Sequence, residues 1–376
     1  MEEMKKYVLG DVCSRLSSGK GISSEEVYES GPFPVIGGNG LRGYSLRSNF
    51  SGECGVIGRQ GAYCGNVRFF SGEAYMTEHA VVVVANEKAD IRYLTYLLST
   101  MHLGNLSAQS AQPGLSVKTL AKQEIMLPSL TEQKRRASML ASLDDKISLN
   151  NRINHNLQSQ IRLLYRQWFV STNEPCMEKP LSEIIDFQEG PGIRNWQYVT
   201  SDGVRFINIR CINDGDVDVS SANMISTNEA YGKYSHFLLQ ENDIVMSCSG
   251  TLGRHAIIRK EHLPLCLNTS VIRFKPRISE SDYSFVYGYL SSEEFINTQR
   301  DLACGSVQAN FGPTHLKSMT IRAFSPEYRS AFNEKVLPMI QTICSLRREN
   351  DALRQERDYI LSKLMSGEVS IEESYC

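Results

Sequence analysis

Leu127-Pro128-Ser129-Leu130-Thr131-Glu132-Gln133-Lys134-Arg135, continued by Leu143-Asp144-Asp145-Lys146-Ile147 and Asn150-Asn151-Arg152-Ile153-Asn154 and closed by Trp168-Phe169, is the stretch that decides the fold. Within it Leu140, Leu143, Ile147, Asn150, Asn154, Leu157, Ile161, Leu164 and Trp168 step by three and four residues. A seam of that spacing held over about four heptads specifies a coiled coil rather than an ordinary surface helix. The same steps return at Val336, Met339, Ile343, Leu346, Asn350, Leu353, Arg357, Ile360 and Leu364, at a constant offset of 336 − 140 = 196. Two matched seams in one chain can close on each other.

Helix starts are marked in both. Thr131 follows Leu127-Pro128, with Glu132 in the first turn where the helix dipole favours a carboxylate. Pro326 and Glu327 do the same for the second, proline being suited to the first helical position. A helix of about 39 residues would be about 58 Å long, a rod that serves as a spacer. If a pseudo-twofold axis relates the rods they run antiparallel. Setting Asn150 opposite Asn350 then places Leu157 against Ile343, Ile161 against Met339, Leu164 against Val336 and Trp168 against Phe332. The two amides would satisfy each other and fix the register at some cost in stability. The misfit is Leu143 opposite Arg357, whose stem could lie along the seam with its charge outside.

The segments before the helices also repeat. Leu9-Gly10-Asp11-Val12 corresponds to Leu181-Ser182-Glu183-Ile184 and Val35-Ile36 to Ile207-Asn208, at 181 − 9 = 172. Gly61 falls on Gly250 and Val82-Val83 on Val271-Ile272, at 250 − 61 = 189. From Tyr93-Leu94 and Tyr289-Leu290 onward, through Leu120 and Leu316, the offset is read as 196. Short β-rich runs alternate with glycine turns: 34–36, 55–57, 81–84, 205–209, 243–246 and 271–274, with helical patterns at 91–101 and 282–300. The expected class is therefore α+β: two tandem α/β modules separated by an intramolecular antiparallel two-helix coiled coil. The boundaries are 1–130, helix 131–171, 172–325, helix 326–367 and a tail 368–376. A shared frame with divergent interiors suggests one scaffold presenting two different binding surfaces.

The 376 residues, 41% hydrophobic and 22% charged, are ordinary for a protein with well-formed cores, and disorder is not expected. The longest apolar run, Ala80 to Ala85, is far short of the roughly 20 residues that span a bilayer, and Met1-Glu2-Glu3 does not read as a signal peptide. A cytoplasmic location is expected, with no membrane partner. The ten cysteines, from Cys13 to Cys376, form no C-x-x-C, so reduced thiols are favoured over a zinc ribbon or disulfide framework. A net charge of −2 argues against nonspecific coating of nucleic acid but leaves room for local basic patches. No phosphate loop, nucleophile elbow, zinc-protease or dinucleotide motif is present, and Gly37-Gly38-Asn39-Gly40 reads as a turn because neither a helix pattern nor a lysine follows. His79, His155, His236, His255, His262 and His315 lack metal-ligand spacing. No catalytic, cofactor or metal site is expected; binding is the default class.

The helix strings quoted above strongly resemble the spacer helix of type I restriction-modification specificity subunits, in which a short strand and Leu-Pro lead into the helix. The segments before them resemble that family's two target recognition domains, including the turns at 61–65 and 250–253. The resemblance covers essentially the whole chain. The second helix departs from the pattern, with Phe324-Ser325-Pro326-Glu327-Tyr328-Arg329 where the first has its Leu-Pro and Glu-Gln strings. The resemblance implies a noncatalytic reader of double-stranded DNA. Each recognition domain would read one half of a bipartite, asymmetric target, while the helices set the gap and dock two methyltransferase subunits. Those partners would carry the S-adenosylmethionine chemistry, separate motor-nuclease subunits would cut, and this chain would bind no cofactor itself. Independently, two different globules on a rigid spacer suit major-groove faces about one turn, 34 to 36 Å, apart.

Base edges are best read by Arg, Asn and Gln, whereas Lys, Arg, Ser and backbone amides grip phosphate. Polar residues beside glycine turns are the candidates: Arg42, Tyr44, Arg59, Gln60, Tyr63, Arg68, Gln112 and Lys118 in the first module. In the second they are Arg194, Asn195, Trp196, Lys233, Tyr234, Ser249, Thr251, Arg254, His255, Gln308 and Asn310. Arg135, Arg136, Lys146, Arg152, Arg162, Arg347, Arg348 and Arg354, placed away from the seam, are candidates for partner docking. The competing reading is a noncatalytic adaptor with two protein-binding modules on the same spacer.

Overall fold

Alternating apolar and polar residues broken by glycine turns build the first module as a mostly antiparallel sheet, as the β-rich runs require. The computed structural model describes residues 4–107, 114–213, 215–303 and 311–366. It comprises two compact units, Met1–Ser148 with Asp351–Cys376, and Leu149–Asn350. Compactness thus groups the chain differently from the linear segments, because each unit takes one module and a part of both long helices.

In the first unit the strands are β1 Lys5–Val8, β2 Cys13–Ser18, β3 Phe33–Gly37, β4 Gly40–Ser45, β5 Phe50–Gly58, β6 Val67–Met76 and β7 Ala80–Ala85. Helices α1 Ile91–Thr100 and α2 Val117–Ala121 and strand β8 Glu124–Leu127 lead into α3, Leu130–Tyr165. The six-stranded sheet has the order β2-β7-β5-β6-β3-β4 and is antiparallel except for β3 beside β6. Its buried Ile57, Val81 and Val83 pack with Tyr93, Leu94 and Leu98 of α1 and with Leu120 and Leu127. Strand β8 pairs antiparallel with β1 and delivers the chain to the start of α3.

The second unit repeats this frame. Its elements are β9 Cys176–Pro180, α4 Leu181–Ile184, β10 Ile185–Glu189, β11 Tyr198–Val199, β12 Gly203–Phe206, β13 Ile212–Asn213, β14 Asp216–Val217, β15 Asn223–Ser226 and α5 Thr227–Tyr231. They continue with β16 Ile244–Ser247, β17 His255–Ile257, β18 Leu265–Cys266, β19 Val271–Pro276, α6 Tyr283–Leu290, α7 Glu293–Leu302, α8 Pro313–Ser318, β20 Thr320–Phe324 and α9 Pro326–Ser366. Two four-stranded sheets form, β10-β19-β16-β17 and β11-β15-β12-β18. Strand β20 pairs with β9 before α9 as β8 pairs with β1 before α3. One reading needs correction: Asp90 and Asp282 both precede the first residue of their helices, α1 and α6, so the offset there is 282 − 90 = 192, not 196. Tyr93 lies in the first turn of α1, whereas Tyr289 lies at the end of α6. The offset reaches 196 only at α2 and α8, where 313 − 117 = 196.

The long helices pair antiparallel in the expected register. In the second unit Asn150 Nδ2 donates to Asn350 Oδ1 at 2.9 Å and Asn350 Nδ2 to Asn151 Oδ1 at 2.9 Å. Trp168, in a π-type turn Arg166–Val170 after α3, lies 5.6 Å from Phe332 between ring centres. Ile161, Val336 and Ile343 are fully buried, and Ile340 is more deeply buried than the expected Met339. In the first unit Arg136 donates to the Leu364 carbonyl at 3.0 Å and Arg357 to Asp144 at 2.7 Å. Arg357 therefore leaves the seam toward a carboxylate, which relieves its misfit opposite Leu143.

Replacing Asn350 by leucine should destabilise the protein by about 1–3 kcal/mol, because buried Asn150 loses an acceptor and keeps only the Glu349 carboxylate, at 2.8 Å. Leucine at both positions should restore most of that loss. A urea double-mutant cycle on the full chain checks the pairing; strictly additive single effects would contradict it.

Candidate nucleic-acid interface

The first module gathers its candidates around two glycine turns. Gly38 of the β3–β4 turn packs so closely on Gly58 and Arg59 that an added Cβ would lie 2.9 Å from the His79 carbonyl and 3.3 Å from Gly58 Cα. Arg68 Nη1 donates to the Asn39 carbonyl in the same turn at 2.7 Å. The Arg59 carbonyl accepts from Leu115 N at 2.9 Å and Gln60 bridges Gly114, which draws in the segment preceding Lys118. Gly61 and Gly65 hold φ of +77° and +84°, a region other residues rarely adopt. Arg42, Arg68, Gln60, Tyr63 and Lys118 are exposed, and Arg59 and Tyr44 half-buried. Three guanidinium groups and two polar or aromatic side chains thus collect at one rim of the sheet.

The second module builds the equivalent place from the β16–β17 hairpin. Ser247 Oγ donates to the Thr251 carbonyl at 2.6 Å and accepts from Arg254 N at 3.2 Å, while Gly250 and Gly253 take φ of +67° and +79°. Thr251 and Arg254 are exposed and Ser249 half-buried. The hydrogen bond from Leu115 to Arg59 has its counterpart here: Phe311 N donates to the Cys248 carbonyl at 2.8 Å. The two modules therefore share this backbone bond, with Arg59 matched to Cys248 (248 − 59 = 189) and Arg254 to Gly65. The frame repeats while the chemistry it presents does not.

Arg194, Asn195 and Trp196 lie together in an exposed turn. Gln197 anchors it by donating to Glu229 at 3.0 Å and to the Tyr234 hydroxyl at 3.3 Å. Lys233 lies 5.1 Å from the Tyr234 ring centre, on the same patch.

Two candidates are engaged elsewhere, Tyr234 by burial and the half-buried His255 by the contacts of its ring. Tyr234 is 5% exposed and fills the small core with Val204, Phe206 and Ile225, so its ring closes that core. The His255 ring meets Ser291 Oγ at 3.0 Å and packs edge-on to Tyr287, and burial pushes its pKa down to about 4, partly offset by the Gly253 carbonyl. It is a neutral packing residue at physiological pH. Gln112, Gln308 and Asn310 lie outside the described residues.

On the helices, two docking candidates are enclosed. Arg136 is buried, bonded to Glu132 and the Leu364 carbonyl, and Arg347 is buried and bonded to the Gly215 carbonyl. Both face inward because a distant backbone carbonyl needs a donor. Arg348 and Arg354 are exposed and paired with Glu261 and Asp351, and Arg135 with Glu132. Lys146, Arg152 and Arg162 lie on the exposed face.

A cleft of about 510 Å³ within the first unit, lined by both charged and apolar side chains, was not foreseen. Tyr96 donates to Asp144 at 2.5 Å, Arg357 meets the same carboxylate, and Arg92 pairs with Asp145 at 3.6 Å. Tyr96 and Arg92 thus hold α1 onto α3, and Arg357 joins α9 to α3 at the same carboxylate. Burial, reinforced by Asp144, keeps the Tyr96 hydroxyl protonated well beyond its usual range. The signal was available in Arg357, the one charge in an apolar seam.

Among the described residues no His, Cys, Asp and Glu cluster could hold a metal ion, and no helix is long and apolar enough to cross a membrane. Eight described cysteines are free thiols, and burial raises Cys13, Cys54 and Cys248 to about 12, where they are unreactive.

The family model described as "Type I restriction modification DNA specificity domain" matches residues 1–159 and again 173–323. The EcoprrI specificity subunit of Escherichia coli is 38% identical over 146 residues, 38% of this chain and 36% of that one, so the match spans about a third of that relative. The MjaIX specificity subunit of Methanocaldococcus jannaschii is 24% identical over 310 residues, 75% of this chain and 69% of that one. The crystal structure of a type I restriction-modification S subunit from M. genitalium superposes with a TM-score of 0.57 at 15% identity, covering 96% of each chain, and has the same fold.

Proposed function

Because the chain belongs to the family of type I restriction-modification DNA specificity subunits, we infer that it is the noncatalytic DNA-reading subunit of a methyltransferase and restriction complex acting in the cytoplasm. Each recognition module reads one half of a bipartite, nonpalindromic target. The paired helices fix the gap and dock two methyltransferase subunits, which bind S-adenosylmethionine; motor-nuclease subunits join for cleavage. The observation that carries this reading is the backbone bond shared by the turns at Arg59 and Cys248, with unlike side chains around them. One backbone frame offering two chemistries is what two different half-sites demand.

The test is methyl transfer by the full chain mixed with the methyltransferase encoded beside it. Modification confined to one split sequence is expected. A stable complex that methylates without sequence preference would instead favour the adaptor reading. Within that complex Arg59→Ala and Arg254→Ala should each weaken specific binding by about 1–3 kcal/mol, the worth of a bidentate base contact, and relax preference in one half-site only. Unchanged affinity and preference in a competition assay would remove that residue from the interface.

A further inference from the structure

The turn carrying Trp196 has a counterpart in the first module. There Ser23 N donates to Glu26 Oε2 at 3.4 Å; here Arg194 N donates to Gln197 Oε1 at 2.9 Å. The two caps are 171 residues apart at both ends, 194 − 23 and 197 − 26, so they occupy the same place in the repeated frame. Their contents are opposite. Ser23-Ser24-Glu25-Glu26 is acidic, and Glu26 is engaged by Arg47 at 2.6 Å. Arg194-Asn195-Trp196-Gln197 carries a cation, an amide and an indole that is 81% exposed. The supporting residues are tied down: Glu229, the nearby carboxylate, is held by Gln197 and by Ser226 Oγ at 3.2 Å, and it keeps its negative charge, which the exposed Arg194 and Lys233 together exceed. Tyr231, at the end of α5, is a second exposed ring beside Lys233. A large aromatic ring held out on an anchored turn between cations suits a surface that is both anionic and stacked, which describes the base steps of a nucleic acid between their phosphates.

We propose that Trp196 is a wedge: when the complex binds duplex DNA, its indole enters a groove and stacks against a base step of the second module's half-site, with Arg194 and Lys233 on flanking phosphates. The corresponding turn of the first module, Ser23–Glu26, carries no aromatic ring, so this unstacking is specific to the second module's half-site. This rests on the reading above that the modules bind duplex DNA.

The full chain, assembled with its methyltransferase subunits, is titrated onto a duplex carrying its own modification site. 2-Aminopurine is placed at successive positions other than the methylated base. Wild-type complex should brighten the probe at one step, in the second module's half-site. Trp196→Ala should abolish the brightening and weaken binding about tenfold or more, with Trp196→Phe intermediate in both. The slope of binding against salt should be unchanged by Trp196→Ala but fall by about one in Arg194→Ala, since only the latter releases a phosphate contact. Wild-type complex that binds without brightening at any position, or Trp196→Ala that binds and brightens as wild type does, overturns the wedge while leaving DNA recognition in place. Loss of methyltransferase assembly in Trp196→Ala with DNA affinity intact assigns the ring to a protein partner and also overturns it. If wild-type complex does not bind the duplex, the underlying functional reading falls with it.

Discussion

Phe169→Ala is expected to destabilise the second unit by about 3–5 kcal/mol, the range for removing a fully buried aromatic side chain. Phe169 is 2% exposed and sits where the turn after α3, strand β20 and helices α6 and α9 converge. Its ring centre lies 4.7 Å from both Phe285 and Phe332 and 5.1 Å from both Tyr165 and Phe324. Several of these contacts are edge-to-face, the geometry aromatic quadrupoles favour, so truncation loses ring-ring attraction as well as buried area. The neighbours are held by four separate elements and cannot all move in to fill the space. In a Trp196→Phe background Trp168 is the sole indole and adjoins the site, so its emission reports the transition during urea titration. Phe169→Leu should lose about half as much. A shift in Phe169→Ala below about 1 kcal/mol would mean the site collapses freely and is not the keystone of this core.

The long helices were legible because their evidence is local and periodic. Steps of three and four residues fix a face, and one polar pair, Asn150 with Asn350, fixes the register. The strands before each helix were legible for a similar reason, since alternation and glycine turns act over a few residues. Charged residues on the helices were not. Whether Arg136 lies in solvent or in the interior depends on the Leu364 carbonyl, 228 positions away, and Arg347 depends on Gly215 in the same manner. Charge patterning along one helix carries no information about such partners, so both were placed on the wrong face. The candidate interface was legible at the level of its turns, where positive φ requires glycine at 61, 65, 250 and 253. Side-chain equivalence followed from one match: Gly61 on Gly250 pairs Arg59 with Cys248, and the shared backbone bond pairs the same two residues. His255 illustrates the limit met on the helices, because its neighbour Arg254 points out while its own ring is enclosed by Ser291 and Tyr287.

Arg329→Met should destabilise the second unit by about 3–5 kcal/mol, because it leaves a buried carboxylate without its cation. The Asp282 side chain is 1% exposed and that of Arg329 5%. Arg329 Nε donates to Asp282 Oδ1 at 2.8 Å and Nη1 to the Phe324 carbonyl at 2.9 Å, so one guanidinium ties the start of α6 to the end of β20 at the start of α9. Removing it strands both an anion and a carbonyl. Replacing both members, as Asp282→Leu with Arg329→Met, should be much milder than either single change, because desolvation of the pair then vanishes together with its attraction. The comparison separates two roles. If the pair only fills space, the double variant reaches wild-type stability, and a methyltransferase complex assembled with it modifies the same DNA at the same rate as one assembled with wild type. If the guanidinium also sets the angle at which α9 leaves the module, the double variant will be stable in urea, yet the complex assembled with it will lose the gap-length preference that the proposed function expects. Equal stability of Arg329→Met and wild type would show that water reaches Asp282 and would contradict its burial.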